Sequence, residues 1–212
     1  MRLVGTALTG ALAVLYPVAV WWGLTHLGPR AVALLLLAVL VPGLAVRFRR
    51  ARREDLLAAL RVPLVLLALL TLAAVLDHPL FVLALPVAIS AALLVTFAVT
   101  LRPGGVPLVE RFARMMESSP LSDRQVAHCR QFTQVWCAFF VVNGLVAGAL
   151  ALWGSVFAWA AYAGGVAYGL MGLVFVVEYV VRQARFRRYG AGPVDRLLAR
   201  VFPPREPGEG VA

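Results

Sequence analysis

Six apolar runs, nearly free of charge, dominate this chain. Each approaches the roughly 20 residues a helix needs to cross about 30 Å of hydrocarbon. They cover about Leu3 to Leu24, Ala31 to Val46, Val62 to Leu76, Leu80 to Leu101, Phe132 to Leu152 and Phe157 to Val181. The second and third sit near the lower limit of length and would borrow a turn from their flanks. Hydrophobic residues make up 62% of the 212 and charged residues 14%, with a mean hydropathy of +0.87. Soluble domains run at about 45–50% apolar and about 25% charged, and one water-soluble core of this size cannot hide so much apolar surface. The expected fold class is therefore all-α, a polytopic membrane helix bundle of six transmembrane helices.

Arginine placement predicts the orientation. All 20 basic residues are arginine. Arg2, the cluster Arg47 to Arg61, the set Arg102 to Arg130 and the set Arg182 to Arg205 all fall on one side of a six-span arrangement, and only Arg30 falls on the other. The positive-inside rule then puts both termini in the cytoplasm. The formal net charge of +10 is explained by these flanking arginines, and no polar domain is left to bind nucleic acid. The outer connections are short, at His26 to Arg30, Asp77 to Pro79 and about Trp153 to Val156. Trp21, Trp22, Trp153 and Trp159 fall near that boundary, as an aromatic belt would place them. Ala11-Leu12-Ala13 mimics a signal-peptide cleavage site, but the apolar run continues past it, which favours a retained first span.

Residues 1–189 read as the six-span domain and residues 190–212 as a cytoplasmic tail. Between spans four and five, about residues 106–118, Leu108, Phe112, Met115 and Met116 recur at helical spacing, with Glu110, Arg111, Arg114 and Glu117 off that face. This is the pattern of an amphipathic interfacial helix. It serves either as a linker packed under the bundle or as a surface for anionic lipid or a protein partner. In the tail, Val194, Leu197, Leu198 and Val201 outline a second short amphipathic helix ahead of a disordered end.

Chemistry is sparse. Cys129 and Cys137 are about 12 Å apart along one helix and cannot pair. Neither has metal-ligand spacing with His26, His78 or His128. The placement of His26 and His78 at one boundary leaves a pairing of those two open. No nucleophile motif, phosphate-cradling glycine loop or paired-carboxylate arrangement is present. No cofactor or metal is expected, and these absences weigh against an enzyme. Polar groups within the spans concentrate in spans five and six: Thr133, Gln134 and Asn143, then Glu178 with Tyr162 and Tyr168. Such groups usually face a bundle interior. Trp136, Phe140 and Asn143 share one side of span five. Gly144 and Gly148 in span five, and Gly165, Gly169 and Gly172 in span six, suggest a tight hairpin of those two spans. Glu178 precedes Arg182 by one turn, the favourable order for an ion pair.

The second half carries a longer pattern. It starts with Pro107-Leu108-Val109-Glu110-Arg111-Phe112-Ala113-Arg114. Arg130, Thr133, Trp136, Phe139-Phe140, Asn143-Gly144 and Trp159 to Tyr162 follow, then Tyr168, Met171-Gly172, Phe175, Glu178-Tyr179 and Arg182. Over about residues 100 to 182 this resembles the small six-span inner-membrane proteins encoded in bacterial aryl-polyene (xanthomonadin-type) biosynthesis clusters. It is more distantly similar to the intracellular septation protein A family. The chain departs from that pattern at Ala163, where the family carries an asparagine. The resemblance implies a bacterial inner-membrane location and association with an acyl-carrier-protein-dependent polyene lipid pathway, or with envelope upkeep. It supplies no catalytic residues.

The resulting expectation is a non-enzymatic inner-membrane accessory protein for assembly or movement of an aryl-polyene-type lipid. Its arginine-rich face would meet anionic phospholipid and cytosolic biosynthetic enzymes or acyl carrier protein. Glu110, Arg111, Arg114, Arg130, Trp136, Asn143, Glu178 and Arg182 are the candidate functional residues. A small lipid or solute transporter, and an envelope or septation factor acting through protein partners, are the alternatives.

Overall fold

The computed structural model describes residues 16–50, 53–116, 120–187, 196 and 199–203. Among these the chain is helical, with no strand. Helix α1 (residues 16–26) is followed by α2 (Pro29–Arg50), α3 (Arg53–Leu76), α4 (Pro79–Leu83), α5 (Leu85–Val99) and α6 (Leu108–Met116). Then come α7 (Asp123–Trp153), α8 (Val156–Ala161), a π-helical segment (Tyr162–Val166) and α9 (Ala167–Phe186). Three continuous stretches, Pro79–Val99, Asp123–Trp153 and Val156–Phe186, are long and apolar enough to cross a membrane, and Pro29–Ala45 and Val62–Leu76 form shorter apolar helices. Large aliphatic side chains such as Val39, Val75 and Leu145 point outward, the expected surface of a helix bundle solvated by lipid. The beginning of the first expected span (residues 3–15) lies outside the described residues, as do Val194, Leu197 and Leu198 of the expected tail helix.

Local chemistry sets where the helices begin and turn. Ser122 opens α7 with a reciprocal capping box: its hydroxyl accepts from Gln125 N while the Gln125 side chain accepts from Ser122 N. Ser155 caps α8 by accepting from Ala158 N at 3.1 Å. Arg30, the one arginine on the far side of the charge asymmetry, closes two helix ends together. Its Nε donates to the Ala74 carbonyl at 2.9 Å, satisfying a terminal carbonyl of α3. Its backbone N–H donates to Asp77 Oδ1 at 2.9 Å, and Asp77 itself turns through φ 52°.

Two packed regions result. Val20, Val32, Ala33, Leu70, Ala73, Val82, Leu83, Leu85, Ala160 and Trp159 form a core at the end of the bundle away from α6. Trp159 is fully buried there, and its Nε1 donates to the Leu83 carbonyl at 3.0 Å. That corrects its placement in an interfacial belt. The carbonyl sits at the interruption between α4 and α5, just before Pro86, whose missing N–H weakens the helical ladder. Trp153, by contrast, is 83% exposed. The close helix pair also differs from the expected hairpin. Added Cβ atoms at Gly144 and Gly148 would meet Ser90 Cβ at 3.3 Å and Val87 Cγ2 at 3.7 Å, so the small face of α7 packs on α5. Cβ atoms at Gly165, Gly169 and Gly172 would meet nothing within 4 Å. These three glycines are exposed and make no close helix contact.

Candidate functional site

The space between α7 and α9 is an open crevice of about 780 Å³, bordered also by α5 and α6. Its walls are aromatic because apolar residues recur every three or four positions on facing helices. Trp136 and Phe140 come from α7, Met171, Phe175 and Phe186 from α9, and Leu93 and Phe97 from α5. Trp136 anchors this lining, with ring centroids 4.7 Å from Phe175 in an edge-on contact and 5.8 Å from Phe140 in a stacked one. Phe97 meets Phe140 edge-on at 5.2 Å.

The arginine-rich end of the crevice is polar. Glu178 Oε1 accepts from Arg182 Nε at 2.9 Å and Nη2 at 2.5 Å, so the i, i+4 pair read from the sequence is present. His128, only 2% exposed, places Nε2 3.5 Å from the same carboxylate oxygen. Its Nδ1 lies 3.4 Å from Arg185 Nη1, which also donates to Gln131 Oε1 at 2.8 Å. A guanidinium can only donate, so Nδ1 accepts at that contact, while Nε2 has no hydrogen-bond partner among the described residues. Gln125 and Gln183, both buried, complete this end. One end of the cavity thus offers charge and hydrogen bonds, and the rest offers aromatic surface.

Helix α6 forms the rim. Its first N–H groups are held from outside the helix: Leu108 N donates to Thr100 Oγ1 at 3.0 Å and Val109 N to Thr133 Oγ1 at 3.4 Å. Ala113 and Glu110 face inward, and Glu110 is 4% exposed. The carboxylate expected on the polar surface is buried instead, with Arg114 folded over it at 2.8 Å from Nε and 2.6 Å from Nη2. Phe112, Met115 and Met116 are exposed, Met116 at 86%. A linker packed only under the bundle would have buried that apolar stripe.

The expected residues therefore divide. Trp136, Glu178 and Arg182 line the crevice, and Glu110 and Arg114 pair on its rim helix. Arg111 and Arg130 serve loop closure, donating to the carbonyls of Val106 at 3.1 Å and Leu101 at 2.7 Å. Asn143 lies deeper, bridging Ser90 and Tyr162. The sequence reading missed His128, Gln125, Gln183 and Ser90. In sequence His128 stands outside any metal-ligand spacing with the cysteines. Its position in the buried series Gln125, His128, Cys129, Phe132, Thr133, Trp136 was the usable signal. His26 and His78 do not meet each other: His26 stacks on Trp22 at 4.9 Å, and His78 caps α4 by accepting from Leu80 N at 3.2 Å. Among the described residues no group of three or more His, Cys, Asp or Glu is arranged to hold a metal ion.

Fold and crevice together define the class: an all-helical membrane protein with an aromatic cavity that is charged at one end. No protein-family model, no curated protein and no solved structure matches the chain.

Proposed function

We propose that this chain is a six-span protein of a bacterial inner membrane, with both termini cytoplasmic. In this reading it is a non-enzymatic accessory that holds a lipid-like amphiphile during assembly or movement of an aryl-polyene-type lipid. The observation that carries the reading is the crevice, whose aromatic walls suit a flat or extended apolar chain and whose Glu178–Arg182 end, backed by the buried His128, suits its polar head. Pockets for small molecules are commonly built this way, apolar with a few convergent polar groups. The exposed Phe112, Met115 and Met116 support it, since α6 would lie in the headgroup layer and border the entrance from the membrane. The arginine distribution supports the orientation, with the charged end of the crevice at the cytoplasmic face, where anionic lipid and an acyl-carrier protein or cytosolic enzymes would be met.

The test is deletion in the native host, with lipid extracts read by absorbance and mass spectrometry and cell length scored in the same cultures. Loss of a polyene-bearing lipid is expected, restored by the wild-type chain but not by Trp136→Ala or Glu178→Gln at equal protein level. Unchanged lipids with misdivided cells would overturn this reading in favour of a septation role. Transport of the lipid is a second reading, favoured by the interruption at Ala84 and by the π segment, since transporters build binding sites from discontinuous helices. Movement of a labelled lipid in proteoliposomes separates it from a holding role.

A further inference from the structure

Deeper in the bundle, a second chamber of about 130 Å³ adjoins the crevice. Leu93, Phe140 and Met171 line both cavities, so three side chains form the partition between them. The second chamber is polar in a way the first is not. Asn143 Nδ2 donates to Ser90 Oγ at 3.0 Å, and Tyr162 Oη donates to Asn143 Oδ1 at 3.0 Å. Ser90 Oγ in turn donates to the Pro86 carbonyl at 2.8 Å. An amide has two N–H donors and two acceptor lone pairs, so this network leaves one of each on Asn143. Across the chamber the buried hydroxyl of Tyr16 has no hydrogen-bond partner among the described residues. Among the described residues no charged side chain lines the chamber.

From these features we infer that the chamber is a binding subsite for an uncharged, ring-sized group bearing a hydroxyl. It forms the far end of a site whose charged end is the Glu178–Arg182 pair. The inference rests on the proposal that the crevice holds an amphiphile. Size fits the inference: an apolar cavity of about 150 Å³ admits benzene. Chemistry fits too, because a hydroxyl both donates and accepts, matching the unused capacity of Asn143 and the Tyr16 hydroxyl. An ionised group would find no counter-charge and is excluded by the cost of burying it in the membrane. Geometry sets the ligand's length. Tyr168 lines the chamber and Arg182 the crevice, and fourteen residues of helix separate them, about 21 Å by helical rise. The ligand is therefore an extended molecule with a polar group at one end and a hydroxylated ring at the other.

The experiment uses the full chain in nanodiscs and two probes: a fatty acid ending in a 4-hydroxyphenyl ring and its phenyl-ended twin of equal chain length. Binding is followed by quenching of tryptophan fluorescence and by native mass spectrometry. Wild type is expected to bind the hydroxylated probe roughly tenfold more tightly, the value of about one net hydrogen bond. That preference should vanish in Asn143→Leu and shrink in Tyr16→Phe and Tyr162→Phe. The two phenylalanine variants remove only a hydroxyl, so they report even if Asn143→Leu misfolds. The phenyl-ended probe should bind all the folded variants alike. Equal affinity of wild type for both probes would overturn the subsite while leaving the crevice reading intact, the chamber then holding water only. A preference that persists in both phenylalanine variants and in any folded Asn143→Leu would also overturn it. Binding of neither probe would overturn both readings together.

Discussion

Trp159 and Trp153 are six residues apart and have opposite fates, and the difference is one hydrogen bond and one core. The Trp159 indole belongs to the core that α8 shares with residues of α1 to α5, and it satisfies the Leu83 carbonyl. Trp159→Phe should cost about 1–3 kcal/mol for the orphaned carbonyl alone, seen as a lower midpoint of thermal unfolding in detergent. Trp153→Phe, at an exposed ring, should leave that midpoint unchanged. Hydropathy could not tell the two apart, because both tryptophans fall near a span end. The distinguishing partner lies 76 residues away in sequence. The same limit applied at Glu178. Its local partner Arg182 was legible from the one-turn spacing, whereas His128, supplied by another helix, was not. Glu110 shows the converse case. Its polarity suggested the surface, yet a neighbouring arginine folded over it lets the carboxylate face inward.

Among the elements, α6 and the pair α5–α7 carry the clearest consequences. Spacing outlined a helix over about residues 106–118 and α6 spans Leu108–Met116, since periodicity records which residues share a face. It does not record which neighbour that face meets, and here Phe112, Met115 and Met116 stay exposed, with Phe112 and Met116 at the edge of the crevice. A fluorophore attached to Met116→Cys, with Cys129 and Cys137 replaced by serine, should shift to shorter emission wavelengths on reconstitution into vesicles. An unshifted spectrum would mean that the stripe stays in water. Glycine spacing was similarly half-informative. It marked Gly144 and Gly148 as a contact face, but the contact is with α5. Gly144→Leu should therefore destabilise the bundle by about 1–3 kcal/mol through overpacking against Ser90. Gly169→Leu, where an added Cβ meets nothing, should be nearly neutral in the same unfolding assay.

At the scale of the whole molecule, the apolar runs made the helical bundle legible, because exclusion of charge over a bilayer's thickness needs no knowledge of partners. The crevice was not legible, since it arises where α7 and α9 fail to pack. The proposed orientation makes a direct prediction. In a cysteine-free background, Leu27→Cys should react with a membrane-impermeant maleimide in intact spheroplasts, and Arg102→Cys only after the membrane is opened. Between the Trp159 core and the Glu178 crevice lies the π segment, closed by Ala167 N–H donating to the Tyr162 carbonyl. Such a segment holds one residue more than the α-helix it interrupts, so it decouples chain length from helical phase. Removing Ala163 should restore a continuous α-helix and keep both flanking faces aimed as they are. Removing Leu173 should instead rotate the two halves by about 100° relative to each other. Expression and thermal midpoint should survive the first deletion and collapse with the second, making this turn the position in the last helix where evolution can add or drop a residue without re-aiming either end.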